Sequence, residues 1–561
     1  MKKLKSYMSG CSRAILTDTG VIIKSQHSFF PDASVPFSEN ESVVNPFIKG
    51  TEDAASARTS AESTSLISCV TCLSDHSYED EENGGRSLPE NTLIPYAKIL
   101  YAKNICVVNG GFAAYRDEVN EIETTDPTAP GSELPSVLVE VTFAKPRRHN
   151  LAPKKILLSF ETMIPEEDIA EVLMQRSYRN AKRERSILVI INPHGGKGQA
   201  KKLFMSKVKP ILAASNCIVQ VLETRYRGHA AEVAENLDID MYDVIACASG
   251  DGIPHEVLNG LFRREDRAAA FNKLAVTQLP CGSGNAMSLS CHGTANPTYA
   301  ALSVVKASEV RIDLMCCTQA SYKNEHRLSF LSQTFGVIAE SDINTEFIRW
   351  MGPSRFELGV LVNVLQRKKY PCDLYVKYCA KSKNDLREHY SLHKKKQESD
   401  SDDSSSELPN QQDIQESDFQ LSYGLSDPVP DDWELVDPDI TANLGIFYAG
   451  KMPYIAPNTK FFPAALPNDG CFDLVLTDSR TSITRMAPIL LSLDKGHHVL
   501  QPEVVHSKVT AYRLIPKLKQ SVISIDGESF PYEPLQVEVL PGLCKTLTYN
   551  GSYIETDFDS M

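Results

Sequence analysis

Ala248-Ser249-Gly250-Asp251-Gly252 follows the apolar run Val244, Ile245 and Ala246, and it precedes a helical pattern from His255 to Phe262. A strand that ends in Gly-Asp-Gly carries its carboxylate on a turn where neither neighbour has a side chain to block approach. Such a turn suits phosphate handling or proton abstraction. Outward from it, Ile187 to Ile191 is a continuous apolar run, as in a strand buried on both faces. Ile218 to Leu222, Tyr242 to Ala248 and Leu274 to Leu279 read as three more strands. Between them, helical patterning after Lys197 places Phe204, Val208 and Ile211 on one face, with Pro210 kinking or ending it, and His229 to Leu237 reads as the next helix. Strands alternating with helices imply a Rossmann-like parallel sheet with right-handed crossovers, spanning 184–309. Its ligands bind beyond the carboxyl ends of the strands.

Those four strand ends carry four loops. Asn192-Pro193-His194-Gly195-Gly196-Lys197-Gly198 bares backbone N–H groups before a helix, whose N-terminus favours anions. It lacks the spacing of a Walker A loop. Thr224-Arg225-Tyr226-Arg227-Gly228 offers two guanidinium groups and hydroxyls for phosphate. Ser249 to Gly252 is followed one turn later by His255 and Glu256, and Pro280-Cys281-Gly282-Ser283-Gly284-Asn285 is again glycine-rich before a helix. One such loop alone is often structural. Four in consecutive units at the ligand edge point to a nucleotide site and a kinase not built on the usual phosphate loop.

The rest of the 561-residue chain exceeds one core, so two or three domains are expected. The net charge of -14 argues against general nucleic-acid binding. The fourteen cysteines form no pair of CxxC motifs and imply neither a zinc site nor a disulfide framework. With no apolar leader and no run of about 20 apolar residues, the expected location is cytoplasmic, with peripheral attachment to membranes. Residues 1–91 are polar and aperiodic and are expected to be disordered. They contain an apolar island, Leu66 to Leu73, whose Cys69 and Cys72 are candidate S-acylation sites or part of a docking strand. Strand-like runs followed by a helix make 92–183 a small β-rich module that resembles a pleckstrin-homology-like fold. From 310 to 381 and from 434 to 550 the pattern is mostly antiparallel β, a sandwich-like second domain. The acidic, serine-rich 382–433 between them reads as a disordered insertion, a solvated loop with candidate phosphorylation sites.

These motifs resemble a known family. Asn192-Pro193 with Gly195-Gly196, Ser249 to Gly252, and Leu279-Pro280 with Gly282 to Asn285 look like the catalytic domain of diacylglycerol and sphingosine kinases. Pro467-Asn468-Asp469-Gly470-Cys471-Phe472-Asp473 and Asp526-Gly527-Glu528 resemble its later motifs. Ala339-Glu340-Ser341-Asp342 with Arg349 and Arg355 is similar to the sphingosine kinase subgroup, and the long N-terminal extension with Cys69 and Cys72 looks like fungal long-chain-base kinases. The chain departs at His194 and Pro254, where relatives often carry Arg and a larger apolar residue.

The resemblance implies an ATP- and Mg2+-dependent kinase for a sphingoid base, with Asp251 as the base that takes the proton from the lipid hydroxyl. It further implies that Asn192, Pro193, His194, Thr224 to Gly228, Glu256, Gly282 to Gly284, Arg349, Arg355 and Asp526 to Glu528 line the nucleotide site. Ser249, Gly250, Gly252, Asp342 and Ser332 would meet the lipid. Asp342 is the residue that favours a base over ceramide or diacylglycerol, because only the base carries an ammonium beside its hydroxyl. By local pattern Asp342 also reads as the N-cap of a helix from Ile343 to Trp350. An NAD kinase also uses a Gly-Asp-Gly turn, but the later motifs and Ser249 speak against it. An inactive lipid-binding scaffold is disfavoured by the intact Asp251.

Overall fold

The structure is a computed structural model that describes residues 11–26, 91–109, 112–115, 136–161, 168–196, 198–322, 325–344, 367–402 and 413–561. The chain divides into two compact units, 1–143 with 154–179, and 144–153 with 180–561.

The first unit is built on a seven-stranded sheet in the order β3-β2-β1-β7-β6-β4-β5, where β1 is Ser12–Leu16, β2 Gly20–Gln26, β3 Leu93–Pro95, β4 Ile99–Asn109, β5 Phe112–Tyr115, β6 Ser136–Arg147 and β7 Asn150–Glu161. Helix α1 (Ile169–Tyr178) follows, begun by Asp168, whose carboxylate accepts from Glu171 N. Tyr178 donates its hydroxyl to Leu100 O at 2.7 Å. The expectation that 1–91 lacks structure does not hold for β1 and β2. Ala14, Val21 and Ile23 are buried, a period-two signal too short to stand out among the polar residues around it. The Cys69 and Cys72 reading lies outside the described residues.

The second unit opens with four parallel strands, β8 (Ser186–Ile191), β9 (Ile218–Glu223), β10 (Val244–Ser249) and β11 (Ala275–Pro280), paired in the order β9-β8-β10-β11. The helices between them include α2 (His229–Asn236) and α3 (Gly252–Phe262), followed after β11 by α4 (Ala286–His292) and α5 (Pro297–Lys306). The helix expected after Lys197 runs from Ala200 to Ala214 through a π-turn, Phe204–Val208, just ahead of Pro210. Wider hydrogen-bond spacing there accommodates a residue with no N–H to donate.

Beyond α5 the network turns antiparallel: β12 (Ser308–Thr318), β13 (Arg327–Ser329), β14 (Ser332–Gly336), β15 (Cys372–Ala380), β16 (Glu434–Leu435), β17 (Leu444–Gly450), β18 (Phe472–Asp478), β19 (Val504–Pro516), β20 (Ile523–Ile525), β21 (Glu528–Phe530) and β22 (Leu535–Thr548). β22 connects the two halves. It pairs in parallel with β11 through Lys545 and Ala275, and antiparallel with β12 and β19. The path then runs β19-β18-β17-β14-β20-β21. A Rossmann-like α/β half thus continues into a large antiparallel, sandwich-like half, as the sequence pattern implied.

Two local expectations are corrected. The helix expected from Ile343 starts six residues earlier, as α6 (Val337–Asn344). Gly336 ends β14 at φ +87°, where any Cβ would meet Gly445 O at 2.8 Å, and this turn starts the helix early. Asp342 therefore lies within a helix and is not its N-cap. Second, the 382–433 segment is largely ordered: α7 (Lys383–Asp402) is followed by a 3-10 turn, Glu416–Phe419. Leu386 and Tyr390, one turn apart, are buried with Ala464, Leu466, Val499 and Phe558. Ile414, Phe419, Trp433 and Val436 are also buried. A few anchors hold a segment whose average composition is that of a solvated loop. Among the described residues, no helix is long and apolar enough to cross a membrane.

Candidate active site

The carboxyl ends of β8 to β11 face a cleft of about 540 Å³. Its polar lining comes from the α/β half: Asn192, His194, Gly195, Gly196, Thr224, Arg225, Tyr226, Arg227, Ser249, Gly250, Asp251, Gly252, Glu256, Ser283 and Gly284. Its far wall comes from the antiparallel half, with Ser332, Asp526, Gly527 and Glu528 beside the apolar Leu331, Ile338, Tyr448, Ile455 and Pro457. Pro193, Gly228 and Gly282 belong to the same loops but do not line it. Arg349 and Arg355 lie outside the described residues, and of Asp342 only the backbone is described. The motif from Pro467 to Asp473 is not part of the cleft. Asp469 and Asp473 are buried in ion pairs with Lys451 and Lys508.

Asp251 is held from one side. Its Oδ1 accepts from Gln278 Nε2 at 3.1 Å and from Ala286 N at 2.8 Å. Its Oδ2 lies over Gly284, where a methyl group would sit 2.1 Å away. Gly282 packs so closely on the Gly-Asp-Gly turn that a Cβ would fall 2.1 Å from Gly250 N. The two glycines of the fourth loop are therefore fixed by contact with the third loop. Burial pushes the Asp251 carboxyl up to about 6, the Asp526 charge adds to the rise, and the hydrogen bonds from Gln278 and Ala286 oppose it. A carboxylate with that affinity for protons is charged near neutral pH yet basic enough to take a proton from a positioned hydroxyl.

Glu256 and Asp526 turn out to hold the site's walls. Glu256 accepts from Gly228 N at 3.0 Å and Ala230 N at 3.1 Å. It caps the start of α2 and so fixes the loop that carries Arg225 and Arg227. Asp526, with its side chain fully buried, accepts at Oδ1 from Ser329 Oγ (2.6 Å), Leu331 N (3.0 Å) and Ser332 N (2.9 Å). Its Oδ2 meets Phe330 N (3.2 Å) and His255 Nδ1 (2.8 Å). Both oxygens are filled, so Asp526 ties α3 to the 329–332 turn. Its neighbour Glu528 faces the cleft, is ion-paired with Arg227, and stands close enough to Gly252 that a Cβ there would meet Glu528 Oε1 at 3.3 Å. On the first loop, Asn192 Oδ1 accepts from His194 N at 3.0 Å, closing a turn that presents the glycines. Sequence reasoning missed Gln278, the partner of Asp251. It sits on β11 one residue before Leu279 and has no motif of its own; only its place on a central strand next to β10 marks it.

Four phosphate-type loops thus surround a half-buried aspartate and are closed by an antiparallel second half. Residues 186–317 match the diacylglycerol kinase catalytic domain, and 445–548 match the YegS C-terminal NAD kinase beta sandwich-like domain. The chain is 49% identical over 604 residues to sphingoid long chain base kinase 5 of Saccharomyces cerevisiae, covering 89% of this chain and 88% of that one. It is 34% identical over 388 residues to sphingoid long chain base kinase 4 of Schizosaccharomyces pombe, covering 68% and 79%. This chain belongs to the sphingoid long chain base kinase family. Among solved structures, a diacylglycerol kinase from Bacillus anthracis str. Sterne aligns over 65% of this chain and 97% of its own, with a TM-score of 0.40 and 16% identity.

Proposed function

We propose that this chain transfers the γ-phosphoryl group of ATP to the primary hydroxyl of a sphingoid long-chain base, giving the base 1-phosphate and ADP. The observation that carries the reading is Asp251, whose Oδ1 is held by Gln278 and Ala286 while Oδ2 faces the fourth phosphate loop. In the proposed step the hydroxyl gives its proton to Asp251 as its oxygen attacks the γ-phosphorus, and the bond to ADP breaks. Positioning and charge neutralisation supply most of the acceleration. Arg225, Arg227 and the glycine N–H groups of the first and fourth loops would meet the phosphates, while Leu331, Ile338, Tyr448, Ile455 and Pro457 would take the alkyl chain.

Asp342 is the proposed partner of the substrate ammonium. Ile338 lines the cleft, and Asp342 follows it at i+4, the spacing that keeps one helix face. The neighbouring Glu340 is engaged elsewhere, by Lys368 Nζ at 2.5 and 2.7 Å and by Tyr370 at 2.9 Å. Mg2+ is bound by one or two carboxylates together with substrate phosphates. Glu528, on the cleft wall, fits that requirement, whereas Asp526 does not, because its oxygens are already filled. When bound, the ion would neutralise charge on the phosphate oxygens. Peripheral membrane attachment through S-acylated Cys69 and Cys72 completes the proposal, and hydroxylamine-sensitive acylation lost in the doubly substituted chain would support it.

The test is label transfer from ATP to a panel of sphingosine, dihydrosphingosine, phytosphingosine, ceramide and diacylglycerol. Only the bases should be labelled, with no transfer by the Asp251→Asn variant. The Asp342→Asn variant should lose base phosphorylation while retaining ATP hydrolysis. Labelling of ceramide or diacylglycerol in place of the bases would refute the substrate assignment.

A further inference from the structure

Away from the cleft, three elements bring a second kind of chemistry together. Cys379 is on β15 and exposed, His389 is on α7 and partly buried, and Cys471 is buried just before β18. The two sulfur atoms and one imidazole nitrogen all lie within 4.8 Å of one another. We infer that Cys379, His389 and Cys471 form a site for a thiophilic divalent cation, Zn2+ in the first instance, with solvent in the fourth position.

The donors select the metal. Two sulfurs and an imidazole suit zinc and exclude magnesium and calcium, which take oxygen ligands. The spacing fits as well. Zinc–sulfur and zinc–nitrogen bonds of about 2.3 and 2.0 Å at a tetrahedral angle put sulfur and nitrogen about 3.5 Å apart. Cys379 Sγ and His389 Nδ1 are 3.6 Å apart. The outer partners are also in place. His389 Nε2 lies 3.2 Å from the buried Asp469 Oδ2, a partner for its N–H that leaves Nδ1 as the ring atom facing the sulfurs. Asp469 is itself held by Lys451 Nζ at 2.5 Å and Lys508 Nζ at 2.6 Å. His393 stacks on the His389 ring at 4.1 Å and constrains its plane.

Charge is compatible with a dication. The buried neighbourhood holds three carboxylates, Asp313, Asp469 and Asp473, against two ammonium groups, Lys451 and Lys508. A dication carrying two thiolates adds no net charge to it. Access comes from the exposed Cys379 side. The consequence is mechanical: one ion would join α7, the start of the 382–433 segment, to β15 and to the 467–473 loop.

Full-length protein purified without chelator and titrated with Co2+ should bind one ion per chain. It should show sulfur-to-cobalt charge-transfer absorption in the near ultraviolet, displaced by Zn2+. Cys379→Ser and His389→Gln should each weaken binding at least about tenfold and diminish that absorption, with kinase activity and circular dichroism unchanged in Cys379→Ser. Absence of the band in the wild type, or a band of equal strength in both variants, would overturn the assignment. So would a metal-free chain in which mass spectrometry finds Cys379 disulfide-bonded to Cys471.

Discussion

Replacing Asp251 by Asn should abolish phosphoryl transfer and stabilise the fold. The carboxyl is raised from 3.8 to about 6, chiefly by burial. At about 1.4 kcal/mol per pH unit, keeping it ionised above pH 6 costs the folded state about 3 kcal/mol. The sign follows from the raised value. With respect to this group the fold is most stable below pH 4, loses stability as pH rises towards 6, and stays at the lower level above it. Asn keeps the acceptor for Gln278 and Ala286 and removes the charge. The Asp251→Asn variant should therefore exceed the wild type by about 1 kcal/mol at pH 4.5 and about 3 kcal/mol at pH 8. Urea unfolding followed by circular dichroism at the two pH values measures this, and the wild-type kcat/KM should rise through a limb near pH 6. A variant no more stable than the wild type at pH 8, or with an equal advantage at both pH values, would refute the argument.

Gly284→Ala places a methyl 2.1 Å from Asp251 Oδ2 and should lower kcat about a hundredfold through displacement of that carboxylate; a lipid kinase assay decides. Asp526→Asn leaves donors facing donors at the 329–332 turn and should cost roughly 3 kcal/mol of stability, read by urea unfolding, with activity falling alongside it. Glu256→Gln weakens the cap on α2 and should raise KM for ATP more than it lowers kcat, measured by varying ATP at saturating lipid. Leu386→Ala with Tyr390→Ala should free α7 from the Val499 and Phe558 cluster, at roughly 2–5 kcal/mol for each side chain, and open 383–402 to limited proteolysis.

The α/β half was legible because its signals are local: uninterrupted apolar strands, and glycines at each strand end. Asp251 could be found from four letters. Its partner Gln278 could not, because that hydrogen bond depends on two strands lying side by side. Asp526 and Glu256 read from the motifs as nucleotide contacts, yet their carboxylates hold backbone N–H groups, which motif reading cannot distinguish from ligand contact. Asp342 read by local pattern as the N-cap of its helix, but that helix begins at Val337 because Gly336 turns the chain there. Composition averages hid the strands at 12–26 and the anchors Leu386, Tyr390, Phe419 and Trp433, since a few buried residues suffice to fold a segment that is otherwise polar.

The position of β22 bears on how the chain is made. It comes later in the chain than β11, β12 and β19, yet it supplies the neighbour of all three. Until it leaves the ribosome, the finished α/β half keeps an open β11 edge, the kind of surface that recruits strands from other chains. A stop codon anywhere before residue 535 would delete a strand from the middle of the sheet. Its outcome should be aggregation of the whole kinase half.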